Sequence, residues 1–248
     1  MHAPDEKMSD TDNGENVVAR LRERISQLEE EIDTFAYVLS HDLQAPVRTL
    51  QSFSQILRGD YADKLDEDGQ QYLDFMADAG TQIQTLLTGL LNYSRARRVG
   101  DFSPGVQMDQ LWLAVCAEVL PPDVQATLSG DFAPVTGNRD ALRNVLKHLV
   151  TNALQAVTAP TPLQLTLRGE LLNNAQQLWI EDNGRGIPDH LHAGALEVFR
   201  RVHPEPTGRA GMGLAVAREI VARHGGQLTL KSKTDSGLSV HISLPLGG

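Results

Sequence analysis

The sequence predicts an α+β chain of two domains, an antiparallel helical hairpin that dimerises into a four-helix bundle, followed by an α/β sandwich. Three observations carry that expectation. Apolar residues recur in alternating steps of three and four from Val18 to Leu39. A polar, glycine-containing break at 58–69 separates this run from a second one of the same period. Past residue 105 the period changes, and alternating strands are interspersed with helices.

Taken in order, residues 1–16 are polar and aperiodic and read as a disordered tail. The first helix carries Val18, Leu21, Ile25, Leu28, Ile32, Phe35 and Leu39, a coiled-coil seam that implies a partner helix. His41 stands two places past the seam and so faces solvent, while the stripe moves on to Leu43, Val47, Leu50, Phe53 and Leu57. Pro46 removes one N–H and crowds the carbonyl of Asp42, which predicts a kink beside His41. The second helix shows Tyr72, Met76, Ala79, Ile83, Leu86, Leu90 and Tyr93 on one stripe. One partner helix cannot cover both stripes, so two hairpins pairing is the economical arrangement. The boundaries are 17–99 for the hairpin, 100–105 for a linker and 106–248 for the second domain. There, "VQMD" reads as a short strand, 110–120 as a helix, 124–128 as a strand and 139–158 as a strong helix. "LQLTLRGELL" and "AQQLWIED" form a hairpin, and helix 212–224 precedes the strands "GQLTLKSK" and "LSVHISLPL".

Composition narrows the function. With 41% hydrophobic and 22% charged residues the chain is an ordinary globular protein. Its longest apolar run, "LWLAVCAEVL", is half the length of a membrane span and contains Glu118. A net charge of −10 disfavours nucleic acid and anionic membranes as partners. The acidic N-terminus has no basic-then-apolar leader, and a single cysteine, Cys116, fits a reducing cytoplasm.

Three further stretches point to chemistry. "IEDNGRGIP" leaves a strand at Asp182, and Gly184 and Gly186 let the backbone turn sharply against a ligand. "GRAGMGLAVAREIV" places Gly211 and Gly213 at a helix start, where free N–H groups suit phosphate. "VLKHLVTNALQAV" interrupts an apolar helix face with Asn152, a hard oxygen donor for Mg²⁺ on nucleotide phosphates. Each alone fits an ordinary turn, helix start or buried amide.

In this order, "SHDLQAPVR", "HLVTNALQAV", "DNGRGI" and "AGMGL" resemble the H-box, N-box and glycine-rich boxes of a bacterial sensor histidine kinase transmitter. The likeness runs from about residue 30 to 246, and "DKLDEDGQQYLDFMADAGTQIQTLLTGLLNYSR" resembles the hairpin of phytochrome-type kinases. The resemblance implies a dimerisation and phosphoacceptor domain followed by a Bergerat-fold ATP-binding domain. It implies that His41 takes a phosphoryl group from ATP with Asp42 as its activating acid, and that a response regulator aspartate receives it. Because adjacent helix residues do not face one another, Asp42 is expected to engage fully only in the catalytic complex. In the second domain it implies Asp182 for the adenine amino group, Asn152 for Mg²⁺, and Gly184, Gly186, Gly211 and Gly213 for the nucleotide pocket. Residues 189–210 would be a mobile lid, with Phe199 as its phenylalanine and Arg201 for phosphate charge.

Four positions depart from the family pattern. His148 stands where a second Asn is usual, Gln155 where Lys is common, and Arg209 where another Gly is frequent; Lys147 or Arg201 would have to compensate. Ala45 replaces the Thr or Asn that positions water for dephosphorylation, which predicts weak or absent phosphatase activity. Two routes for signal input stay open: a separate sensor protein docking on residues 17–40, or a larger sensor of which this chain is a fragment. Two alternatives stay open: a phosphotransfer hub without kinase activity of its own, and an ATPase of the gyrase and Hsp90 kind, which would leave the His41 helix unexplained.

Overall fold

The computed structural model describes residues 9–97, 100–157, 162–200, 211–232 and 237–246. Helix α1 spans Ser9–Tyr61 and α2 spans Glu67–Arg97, joined by a 3₁₀ turn at Ala62–Lys64. The tail expected to be disordered is thus helical from Ser9 onward. Residues 1–8 lie outside the described residues. Helix α1 continues through Pro46 without a break.

The two helices meet along a seam that apolar periodicity does not reveal. Asp33, Ser40, Val47 and Ser54 recur every seventh residue on α1, and all are buried. Leu73, Gly80, Leu87 and Ser94 do the same on α2. Small residues let the helices approach closely: a Cβ on Gly80 would lie 2.8 Å from Cγ of Gln51. Polar ties fix the register. Ser94 donates to the Asp33 carbonyl (3.3 Å), Arg97 pairs with Asp33 (3.6 Å), and Arg58 pairs with Asp74 (2.6 Å). The heptad stripe points elsewhere. Leu21, Ile25, Ile32, Phe35, Leu50 and Phe53 are 54–68% exposed, as is Tyr72 of α2 at 62%.

The second domain opens with β1 (Ser103–Val106), α3 (Met108–Val119), β2 (Ala126–Gly130) and β3 (Val135–Gly137). Then follow α4 (Arg139–Ala156), β4 (Leu165–Leu172), β5 (Ala175–Asp182), the short α5 (His192–Ala195), α6 (Gly213–Arg223), β6 (Gln227–Ser232) and β7 (Leu238–Pro245). The main sheet runs β2-β4-β5-β7-β6, with only the β2–β4 pair parallel, and β1 pairs with β3 apart from it. The strand expected at "VQMD" therefore lies three residues earlier, held by a three-residue partner that carries no periodic signal. Alternation along β4, β5 and β7 sends Leu165, Leu167, Leu178, Ile180, Val240 and Ile242 to one face. Helices α3, α4 and α6 cover that face with Leu111, Trp112, Leu146, Val150, Ala217 and Val221. Asn138 caps α4 by accepting from the N–H of Ala141 at 2.9 Å. Helix α2 enters this core too: Ala96 belongs to it and Tyr93 packs against it, so the hairpin's last turns and the second domain share one apolar interior.

Candidate nucleotide and phosphoacceptor site

His41 lies on the open side of α1, its side chain 71% exposed. Its Nδ1 is 3.0 Å from Oδ1 of Asp42, and the Tyr37 ring stacks above it with centroids 6.4 Å apart. Both side chains are exposed, so a short carboxylate can already turn back to its neighbour outside any catalytic complex. A carboxylate only accepts, so the contact places the proton on Nδ1 and leaves the Nε2 lone pair facing water. Ala45, one turn on, is exposed and offers no polar side chain.

The second cluster forms where β5 ends. Oδ1 of Asp182 accepts from the backbone N–H of Gly184 (2.8 Å) and of Leu238 (3.2 Å). No described donor reaches Oδ2. Burial raises the Asp182 carboxyl above its ordinary value, and the two N–H groups pull it back in part. Gly184 is required by contact: a Cβ there would lie 2.6 Å from the Cβ of Ala156 at the end of α4. Arg185 N–H donates to the Ala156 carbonyl (3.1 Å), tying the turn to that helix. Gly186 and Gly211 both take left-handed backbone, at φ 68° and 64°. Asn183, inside the motif, is structural; its amide bridges the Gln164 N–H and the Pro162 carbonyl. Two contributors escaped sequence reading. Gly237 (φ 80°) allows Leu238 to reach Asp182, since a Cβ there would sit 1.9 Å from the Asp182 carbonyl oxygen. Ser232 accepts from Ile187 N–H (2.8 Å) and donates to the Gly237 carbonyl (2.6 Å), stapling both loops. The only signal for them was a glycine between two strands.

Asn152 sits one turn before Ala156 on α4 and faces the start of α6. A Cβ on Gly213 would lie 3.5 Å from both amide atoms of Asn152 and 3.6 Å from Nδ1 of His148. Met212, the N-cap of α6, makes no side-chain cap bond, so the first N–H groups of α6 keep their donor capacity beside Asn152. An amide oxygen and an imidazole nitrogen at a positive helix end suit a cation-bearing polyphosphate. Burial, then the Lys147 charge, lowers the His148 pKa, so its ring is a neutral donor or acceptor. Lys147 does not supply the missing phosphate cation, because its Nζ is held by Glu118 (2.8 Å), which also binds Arg143. Phe199 takes φ 62° and, at 46% exposure, lines an apolar groove with Leu86 and Leu90 of α2 rather than the Asp182 cluster. Arg201, Arg209 and most of the expected lid beyond residue 200 lie outside the described residues.

Residues 31–98 match the His Kinase A (phospho-acceptor) domain. Residues 137–248 match the histidine kinase-, DNA gyrase B- and HSP90-like ATPase domain. The chain belongs to the histidine kinase transmitter family. The transmitter is 27% identical to the phytochrome-like protein Cph1 of Synechocystis sp. across 94% of its own length and 32% of that protein's. It is 26% identical to the signal transduction histidine-protein kinase AtoS of Escherichia coli, over 84% of this chain and 34% of that one. It spans about a third of the length of these curated relatives. Among solved structures, full-length ShkA in complex with AMPPNP aligns over 85% of this chain and 45% of its own, with TM-score 0.59 and 20% identity. Acinetobacter baumannii histidine kinase AdeS aligns over 84% of this chain and 98% of its own, with TM-score 0.58 and 20% identity. These likenesses establish the fold: a helical hairpin followed by a Bergerat domain. No helix among the described residues is long and apolar enough to cross a membrane.

Proposed function

We propose that this transmitter phosphorylates its own His41 from ATP and passes the phosphoryl group to an aspartate of a response regulator receiver domain. The observation that carries the reading is the Nδ1–Asp42 contact on an exposed helix face. In the tautomer that donates Nδ1–H to Asp42, Nε2 is the nucleophile. In the transfer, the Nε2 lone pair forms the P–N bond to the γ-phosphorus while the bond from that phosphorus to the bridging oxygen breaks and ADP leaves with its electrons. The Nδ1 proton, already shared with Asp42, gives the developing imidazolium charge a partner.

Asp182 accepts from the adenine amino group through Oδ2, and Gly184 and Gly186 keep the turn close to the base. Gly211 and Gly213 let the start of α6 approach the phosphates. Asn152, with His148 beside it, would hold a Mg²⁺, and that ion would supply neutralisation of phosphate charge. Phe199 and Arg201 belong to the lid that closes over this site. The exposed stripe from Leu21 to Phe53 is the surface on which two chains pair into a four-helix bundle. The signal enters through residues 17–40, and ATP chemistry with a buried Cys116 fits the cytoplasm. Ala45 supplies no hydrogen bond to a hydrolytic water, so phosphatase activity is weak or absent.

Incubating the chain with γ-labelled and, separately, α-labelled ATP tests this reading. Acid-labile label from the γ position alone, absent in His41→Gln, is the expected result. Label that survives His41→Gln, or none despite bound nucleotide, would falsify it.

A further inference from the structure

The hairpin and the ATP-binding lobe enclose a cavity of about 540 Å³ that the proposal above touches only at His148. One wall is the last turn of α2, with Asn92 and Arg95; the other is the α4 face carrying Asn144, His148 and Thr151, closed off by Val216 of α6. Arg95 is exposed and makes no ion pair or side-chain hydrogen bond with a described residue. Its neighbour Arg97 is, by contrast, committed to Asp33. Lys147 also reaches the cavity but is held by Glu118, and Asp140 is the one carboxylate among the lining residues. Arg95 is therefore the one cation there with no acidic partner among the described residues.

The cavity lies at the end of a line of residues on one face of α4. Ala156 touches the Asp182 turn, Asn152 stands one turn back, and His148 one turn further, where it borders both the Gly213 backbone and the cavity. Two turns of helix span about 12 Å. A nucleotide with its base at Asp182 and its inner phosphates at Asn152 sends its terminal phosphate past His148 towards Arg95. We propose that Arg95 of the hairpin completes the nucleotide site, binding the terminal phosphate of a nucleoside triphosphate and so discriminating triphosphate from diphosphate. This rests on the nucleotide reading of the Asp182–Asn152 cluster and adds to it a residue from the other domain. Its consequence is that loss of the terminal phosphate removes a bond between hairpin and lobe. A solvated arginine favouring the negative end of α2 is the plainer explanation, and binding data separate the two.

The test is calorimetric titration of the full chain with Mg²⁺-AMPPNP and with Mg²⁺-ADP, for the unaltered protein, Arg95→Gln and Arg95→Lys. A charge-assisted contact to phosphate is expected to make Arg95→Gln bind AMPPNP on the order of tenfold more weakly. ADP affinity stays within about twofold, and Arg95→Lys recovers part of the loss. The ³¹P resonance of the bound γ-phosphorus shifts on substitution while that of the α-phosphorus does not. Unchanged AMPPNP binding in Arg95→Gln, or equal weakening for both nucleotides, overturns the proposal while leaving the nucleotide reading intact. Binding of neither nucleotide by the unaltered chain overturns both.

Discussion

Replacing Asp182 by Asn separates the architecture of the nucleotide turn from its chemistry. Oδ1 of Asp182 already serves the N–H groups of Gly184 and Leu238, at 2.8 and 3.2 Å. An asparagine keeps that acceptor and so keeps the turn. The remaining oxygen, which has no described donor, becomes an NH₂ group. The adenine amino group would then face a donor instead of an acceptor. A hydrogen bond to a charged group is worth about 1.5–3 kcal/mol, and leaving both donors unsatisfied adds about 1–3 kcal/mol. At roughly 1.4 kcal/mol per tenfold, the expected loss of ATP affinity is on the order of a hundredfold or more. Tm in the absence of nucleotide should change little. Titration with ATP and with inosine triphosphate, which lacks the amino group, provides the assay. The unaltered chain should prefer ATP, and Asp182→Asn should lose that preference. Retention of ATP affinity within about threefold would refute the assignment of Asp182 to the base.

Other perturbations follow from the same structure. His224 accepts from Asn138 N–H at Nε2 (3.0 Å) and donates to the Ile220 carbonyl at Nδ1 (2.7 Å), and burial lowers its pKa below the usual 6.5. The unfolded chain thus binds more protons below pH 6.5, so stability should be full above that value and fall as pH drops through it. Burial lowers His148 and His241 as well and adds to the slope; a Tm that is flat or rising between pH 7 and 5.5 contradicts this. Ser40 is wholly buried and its hydroxyl has no partner among the described residues, so Ser40→Ala should raise stability by about 1 kcal/mol in urea titration. A loss of that size would show that the hydroxyl is satisfied in solution. Gly184→Ala should cost about 1–3 kcal/mol through the clash with Ala156 and weaken nucleotide binding together with stability. Unchanged denaturation curves would mean the turn is looser than drawn.

Long elements were legible because their periods are. The second hairpin helix, the β4–β5 and β6–β7 pairs, α4 and α6 all match the periodic stretches to within a few residues, while α1 begins at Ser9, well before its periodic stretch. What escaped follows from weak or misleading signals. Strand β1 contains Pro104 and Gly105, residues that read as linker, and exists as a strand because β3 pairs with it. Apolar periodicity located a stripe that is exposed in the single chain, whereas the seam within the hairpin is built from Asp33, Ser40, Ser54, Gly80 and Ser94. Close approach, not apolar burial, is what those positions supply. The His41–Asp42 pair was legible as a motif, but its contact outside a catalytic complex was not, because helical spacing constrains packed side chains and these two are exposed. Glu118 could not be foreseen as the partner of Lys147, since 29 residues separate them.

The most direct measurement is the chemical identity of the phosphorylated atom. After reaction with ATP, peptide mass spectrometry should place the phosphoryl group on His41, and ³¹P NMR should show the Nε2-phosphoimidazole isomer, since Nδ1 is engaged with Asp42. Phosphate on Nδ1, or on any other residue, would contradict the account.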